Sequence, residues 1–260
     1  MNCPPKKATR AAGRSRLSTS EQAAIHHTTF GDLAADAAAL IVARLAVTRL
    51  TDGRVTDLGC GSGILAAALI DAGYTVDGID LSADMIDLAR ANAPAGQFTV
   101  GSVHDAAIRP SVAVAATGEV LNYAVDPRAG LVALASVASR VFEALAPGGV
   151  FAFDISTPGR NLGAEVRHVF HDHDTWLLGM HATETDHRLD RRIVILSREP
   201  DGRYRRTDEE YHLVLYDADT VTDALVTVGF SDEVRQAFSE PTASQPASGW
   251  AVFVATKPGE

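Results

Sequence analysis

The chain predicts an α/β fold: a doubly wound parallel sheet with helices on both faces, interrupted by a small antiparallel β insertion. Apolar strand-like runs alternate with helical patterns of about ten residues or more between residues 34 and 155, as βαβ units do. The first of these strands runs into "VTDLGCGSGIL" (55–65), a strand-to-helix turn whose glycines are spaced two apart. After Pro158 the rhythm changes to longer strands, with a tight-turn signal at Asp201-Gly202. Right-handed crossovers put the ligand crevice of such a sheet at the carboxyl ends of its strands.

The elements follow in order. Ala34 to Leu50 is Ala-rich with Leu40, Ile41, Leu45 and Leu50 at helical spacing. Arg54 to Leu58 reads as a buried strand, and Ser62 to Ala72 as a helix closed by Gly73. "YTVDGID" (74–80) is the second strand, and Ser82 caps a helix that Pro94 ends. "QFTVGS" (97–102) and "SVAVAATG" (111–118) are the next strands. A helix from Pro127 to Ala146 is stopped by "PGG" (147–149), and "VFAFDI" (150–155) is the fifth strand. The insertion spans about 160–216, with antiparallel strands at 176–183, 191–199 and 204–217. "RHVFHDHDTW" (167–176) reads as a polar loop. A helix over 219–228, a strand in "FSDEVRQAF" (230–238), a loop over 239–249 and a strand over 250–257 complete the chain.

Composition excludes several classes. Residues 1–20 carry five basic and no acidic residues, and read as a disordered basic tail ahead of a domain over 21–260. The formal charge of −10 then leaves a body near −15, which repels polyanions, so no nucleic-acid partner is expected. No apolar run of about 18 residues is present, so no membrane span is expected. Two cysteines, Cys3 and Cys60, make no disulfide framework and favour a reducing cytoplasm.

The glycine turn discriminates between ligands. A dinucleotide fingerprint wants a third glycine where Ile64 stands, and no Lys-Ser/Thr follows to make a phosphate-binding P-loop. Asp57, just before the turn, would repel phosphate and welcome an ammonium or sulfonium group. Both features argue against an NAD(P)-dependent oxidoreductase, the rival on this architecture. Asp80 ends the second strand 17 residues beyond Gly63, where a carboxylate can accept from both hydroxyls of a ribose.

These residues carry a resemblance. "VTDLGCGSG", "GIDLS", "ALAPGGVFAFDIS" and "LVTVGF" resemble the successive motifs of class I S-adenosylmethionine-dependent methyltransferases. "FGD", "TGEVLNYAVDP", "RRTDEEYHLVLY" and "FVATKP" resemble a bacterial small-molecule methyltransferase group, whose sugar- and amine-modifying relatives carry a similar insertion. The resemblance implies a seven-stranded Rossmann-like sheet with its last strand antiparallel, S-adenosylmethionine as cofactor and a small-molecule acceptor methylated at N or O. It is compatible with a homodimer, and with a cofactor-binding protein that does not turn over. It implies that Gly59, Cys60, Gly61 and Gly63 present backbone to the methionine part and that Asp57 meets its ammonium group. Asp80 would take the ribose hydroxyls and Leu81 would pack on the adenine. Ser102 and Val103 match the adenine-edge position, where the family often has an Asp, so that contact is weaker or moves to Asp105. Thr117 to Glu119 would line the methyl-bearing end.

Methyl transfer from a sulfonium needs alignment above all, with a base adding a smaller factor, so no universal catalytic residue is available to recognise. Glu119, Asn122 and Tyr123 follow the fourth strand beside the methyl position, where Glu119 and Tyr123 are catalytic candidates and Glu119 could draw in a cationic amine; each also has a plain reading, as a helix-start acid, a turn cap and a packed aromatic. Glu210 and His212 share a strand face by their spacing of two, and His212 is the base candidate, an exposed strand histidine being the alternative. Tyr204, Tyr211, Tyr216 and Trp176 are candidates for a pocket lining or a strand core. His168, His171, His173, Asp172 and Asp174 suggest a metal site, but nothing fixes the remaining ligands, so no metal is expected.

Overall fold

The computed structural model describes residues 19–126, 128–161, 166–235, 237–239 and 249–259. The expected tail over 1–20 falls almost wholly outside them, as do Pro127 and most of the loop over 239–249. Helix α1 (Thr19–Val47) is followed by β1 (Arg54–Leu58), α2 (Ile64–Asp71), β2 (Thr75–Asp80), α3 (Ala83–Asn92), β3 (Gln97–Val100) and β4 (Ser111–Ala116). Then come α4 (Leu131–Ala144), β5 (Leu145–Ser156), four strands β6 (Val166–His173), β7 (Trp176–Thr185), β8 (Arg188–Arg198) and β9 (Tyr204–Val214), and finally α5 (Ala218–Val228), β10 (Ser231–Arg235) and β11 (Trp250–Thr256).

The large sheet has the order β3-β2-β1-β4-β5-β11-β10. Strands β1 to β5 pair in parallel, and β11 runs antiparallel to both β5 and β10. Its strands are apolar on both faces because both are covered. Ala113, Ala115, Val150 and Ala152 pack with α1, α2 and α3, while Val114, Ala116, Phe151 and Phe153 pack with α4 and α5. The order reverses between β1 and β4, so the crevice opens where β1 and β4 end.

Several boundaries move for local reasons. The first helix begins well before Ala34, in a stretch without proline. Strand β4 stops at Ala116 because Gly118 and Glu119 take positive φ (85° and 61°). Helix α4 starts at Leu131, capped by Gly130, and "PGG" already lies within β5, where Gly148 and Gly149 exchange hydrogen bonds with Lys257. The loop reading of residues 167–176 is overturned: β6 forms there as the fourth strand of a separate antiparallel sheet, β6-β7-β8-β9, its polar alternation concealing a ladder with β7. The Asp201-Gly202 hairpin is present, with Gly202 at φ +83°.

Asn122 joins the two sheets. Its side-chain amide donates to the carbonyls of Ser156 (2.9 Å) and Val214 (2.7 Å) and accepts from the Ser156 N–H (3.0 Å). The residue is therefore a tie between the end of β5 and the end of β9, not a turn cap. Tyr123 bridges to Leu213, and the Ala124 N–H donates to the His212 carbonyl (2.8 Å). The insertion is thus hydrogen-bonded directly to the segment that follows β4.

Candidate functional site

Strand β1 enters the crevice through a turn in which Gly59, Gly61 and Gly63 all have positive φ (74°, 50° and 79°), a region that L side chains rarely adopt. Two of the three have internal reasons for lacking a side chain. A Cβ on Gly59 would stand 2.4 Å from Val120, and one on Gly63 would stand 2.9 Å from the Ala89 backbone of α3. The turn is held to β2: the Gly59 and Cys60 N–H groups donate to the Ile79 carbonyl, and the Gly61 N–H donates to the Asp80 carboxylate (3.0 Å). The other Asp80 oxygen accepts from the Ser82 N–H (2.8 Å), at the cap of α3. Cys60 turns its thiol into the core, where burial and the Asp57 and Asp80 carboxylates push its pKa up, so it faces a ligand with backbone alone.

Asp57 lies beneath this turn, 1% exposed, and among the described residues neither carboxylate oxygen has a hydrogen-bond partner. Burial, with the Asp80 carboxylate second, pushes its pKa up to about 7. A buried carboxylate without a donor is costly unless something brings one. Leu81, just past Asp80, is an apolar side chain left 50% exposed at the same end of the sheet.

On the adenine side of the expected cofactor, the Ser102 hydroxyl donates to Asp126 (2.7 Å) and accepts from the His104 N–H. Arg128 binds Asp126 and grips both oxygens of Asp105. Asp105 is therefore held by an arginine rather than left free as an acceptor. The Val103 carbonyl accepts from Arg140 (2.9 Å), which leaves Ser102 and Val103 little but backbone to offer a ligand.

The turn after β4 is set by a residue that the sequence reading placed in a strand without a role. Asp154 of β5 accepts from the Gly118 N–H (2.6 Å), the Glu119 N–H (3.0 Å) and the Trp250 indole (2.9 Å). Burial and the neighbouring Glu119 push its pKa up to about 6. The signal was present: Asp57, Asp80 and Asp154 are each an acid at or near the carboxyl end of a strand of the large sheet. Thr117 stands half-buried between β4 and this turn.

Glu119 is not free to draw in an amine. It is 6% exposed and accepts from Arg160 (2.7 Å), from Arg191 (2.5 and 3.2 Å) and from the Ser156 hydroxyl (2.6 Å). Burial alone would raise its pKa; the two guanidiniums and the hydroxyl hold it down at about 2. The expected catalytic role is corrected by that saturation. Glu119 locks the insertion onto the large sheet, since Arg191 lies on β8 and Arg160 follows β5.

Along β9 the odd-numbered residues are more buried and the even-numbered ones more exposed. His212 and Glu210 do share a face, but it is the outer one. His212 bonds Asp190 (2.5 Å) and Arg188 (3.2 Å), away from Glu119 and Tyr123, which corrects its assignment as base. The inner face presents Tyr211, whose ring meets Tyr123 edge-on at 5.6 Å between centroids. Tyr123 is pushed up to about 12 by burial and by Glu119, which makes it a poor base at neutral pH. Tyr216 donates to the Leu121 carbonyl and belongs to the core, and Tyr204 is exposed at the far end of β9. Trp176 is buried with Leu178 and Ile195.

The histidines of β6 divide between its two faces. His171 and His173 share one, while His168 meets the His181 ring at a tilt across the strand pair (4.9 Å) and His173 stacks on Trp176 (5.1 Å). Among the described residues no group of three or more His, Cys, Asp or Glu side chains is placed to hold a metal ion. Among the same residues no helix is long and apolar enough to cross a membrane.

Residues 55–149 match a family model described as a methyltransferase domain. A provisionally named methyltransferase of Geobacillus sp. (strain WCH70) is 26% identical over 218 residues, covering 78% of this chain and 84% of its own. An S-adenosylmethionine-dependent methyltransferase from Clostridium acetobutylicum ATCC 824 superposes with a TM-score of 0.78 at 17% identity, covering 92% of this chain and 99% of its own. CalS10 from Micromonospora echinaspora, an amino pentose methyltransferase of calicheamicin biosynthesis solved with S-adenosylmethionine bound, gives 0.70 at 20% identity over 95% and 100%. Both superpositions show a shared fold.

Proposed function

We propose that this chain, an enzyme with a methyltransferase domain on the class I fold, transfers a methyl group from S-adenosylmethionine to a nitrogen or oxygen of a small molecule. The observation that carries the reading is Asp57, buried and unpartnered directly beneath a turn of three left-handed glycines. The residues present fit the cofactor. Asp57 offers two acceptor oxygens to its ammonium group, and Asp80 keeps lone pairs for the ribose hydroxyls beside its two backbone bonds. Leu81 offers apolar surface to the adenine, and Gly59, Cys60, Gly61 and Gly63 offer backbone to the methionine part. Ser102 and Val103 border the adenine through backbone, and Thr117 borders the reacting end.

S-adenosylmethionine, when bound, supplies a methyl group already activated on a sulfonium, so the protein's task is alignment and exclusion of water. Asp154 shapes the turn after β4, while Asn122 and Glu119 fix the insertion against it. The inner face of β9 then borders the crevice through Tyr211 and Tyr123. A wall of this kind suits a small acceptor, the class named for CalS10.

The test is to incubate the full chain with methyl-labelled S-adenosylmethionine and a small-molecule extract, then separate the products by mass. Label moves to a low-mass product with the wild type. It falls at least about a hundredfold with Asp80→Ala, a loss of about 2.7 kcal/mol of transition-state stabilisation. Wild-type protein that binds the cofactor and labels nothing overturns the reading.

A further inference from the structure

Among the described residues the inner face of β9 carries one acid without an ion pair, and the nearest cation in the ladder, Arg191 opposite Tyr211 and bonded to Tyr123, is itself neutralised by Glu119. Several charged side chains around the insertion are paired: Glu119 with Arg160 and Arg191, Glu199 with Arg205, Asp190 with Arg188, Asp208 with Arg192 and Arg206. Glu209 is half-buried on the inward side and has no ion pair among the described residues. Its carboxylate accepts the Tyr211 hydroxyl at 2.8 Å, a bond that fixes it without supplying positive charge. The Tyr211 ring in turn meets Tyr123, which follows the turn at the end of β4. Burial and the Glu209 carboxylate push the Tyr211 phenol up.

A fixed carboxylate beside two aromatic rings is suited to a cation, through charge-assisted hydrogen bonds and attraction to the ring faces. We infer that Glu209, with Tyr211 and Tyr123, is the subsite that binds the acceptor by a cationic amine and so makes the enzyme selective for amines over alcohols. The inference rests on the reading above for what the subsite serves. Glu210, the next residue, faces outward and has no part in it.

The experiment uses benzylamine and benzyl alcohol as probes of nearly equal shape, titrated against the full chain by ligand-observed NMR at pH 7.5. Wild type binds the ammonium about tenfold tighter than the alcohol. Glu209→Gln abolishes the difference, Glu210→Gln keeps it, and Tyr211→Phe reduces it, with unchanged circular dichroism in each. Equal or undetectable binding of both probes by wild type, or a preference that survives Glu209→Gln, overturns the subsite. The readout needs no methyl donor. Loss of S-adenosylmethionine binding by wild type would therefore strike the proposed reaction and leave this result standing.

Discussion

The glycine turn and the junction between the sheets each bury a carboxylate, and they treat it in opposite ways. Asp57 has no donor among the described residues, and its pKa rises to about 7; Glu119 has two guanidiniums and a hydroxyl, and its pKa falls to about 2. Burial is nearly the same in the two places, so the partners decide the difference. At the junction the chain supplies its own counter-charges, drawn from Arg160 and Arg191, which are distant in sequence. At the turn it supplies only geometry. A carboxylate completed by its own protein holds architecture together. One left incomplete in a crevice has its partner still to come.

Breaking the junction should have the largest effect on stability. Glu119→Gln leaves Arg191 buried without a countercharge, and removal of one partner of a buried pair costs about 3–5 kcal/mol. Thermal denaturation should show a fall of about 10 °C, given about 2–4 °C per kcal/mol at this chain length. A variant melting within about 2 °C of wild type would mean that the two sheets are held by Asn122 and the strand contacts without this charge cluster.

The smallest effect should come from the residue that the sequence favours as base. His212 and Asp190 are both substantially exposed, and such pairs contribute between zero and about 1 kcal/mol. His212→Ala should change turnover less than about threefold and leave the pH–rate profile in place. Loss of the acidic limb of that profile, where protonation would silence a general base, would return His212 to the site and contradict its outward position.

Why one region was legible and the other was not follows from their physics. In the large sheet the information is local: glycines with positive φ, an acid before the turn and an acid one strand later all lie within 24 residues of one another. Parallel strands buried on both faces read as continuous apolar runs, so their order and the crevice follow from general rules. Strand β9 of the insertion is polar on both faces. Along "YRRTDEEYHLV" spacing shows that Glu210 and His212 share a side, but not which side is inward, and a shift of one residue exchanges Glu209 and Tyr211 for them. The burial of Leu213 beside Leu189 settles the choice, through contacts between strands far apart in sequence. Glu119 was misread for a related reason, since its arginines come from residues 41 and 72 positions away. The β6 strand escaped notice because its histidines and aspartates resemble loop composition and only the ladder with β7 shows otherwise.

The central claim is that Asp57 is kept incomplete for a cationic ligand, and one variant tests it directly. Because its pKa is raised from 3.8 to about 7, the folded chain holds a proton between those values that the unfolded chain has lost, so stability falls as pH rises through that window. Asp57→Asn should make this fall shallower, leaving the share that Asp154 contributes below about pH 6, and make the ligand-free chain more stable than wild type at pH 8. Calorimetric titration with S-adenosylmethionine at the same pH should show affinity reduced about tenfold or more, or about 1.4 kcal/mol. A variant with wild-type affinity and the wild-type dependence of stability on pH would contradict the account.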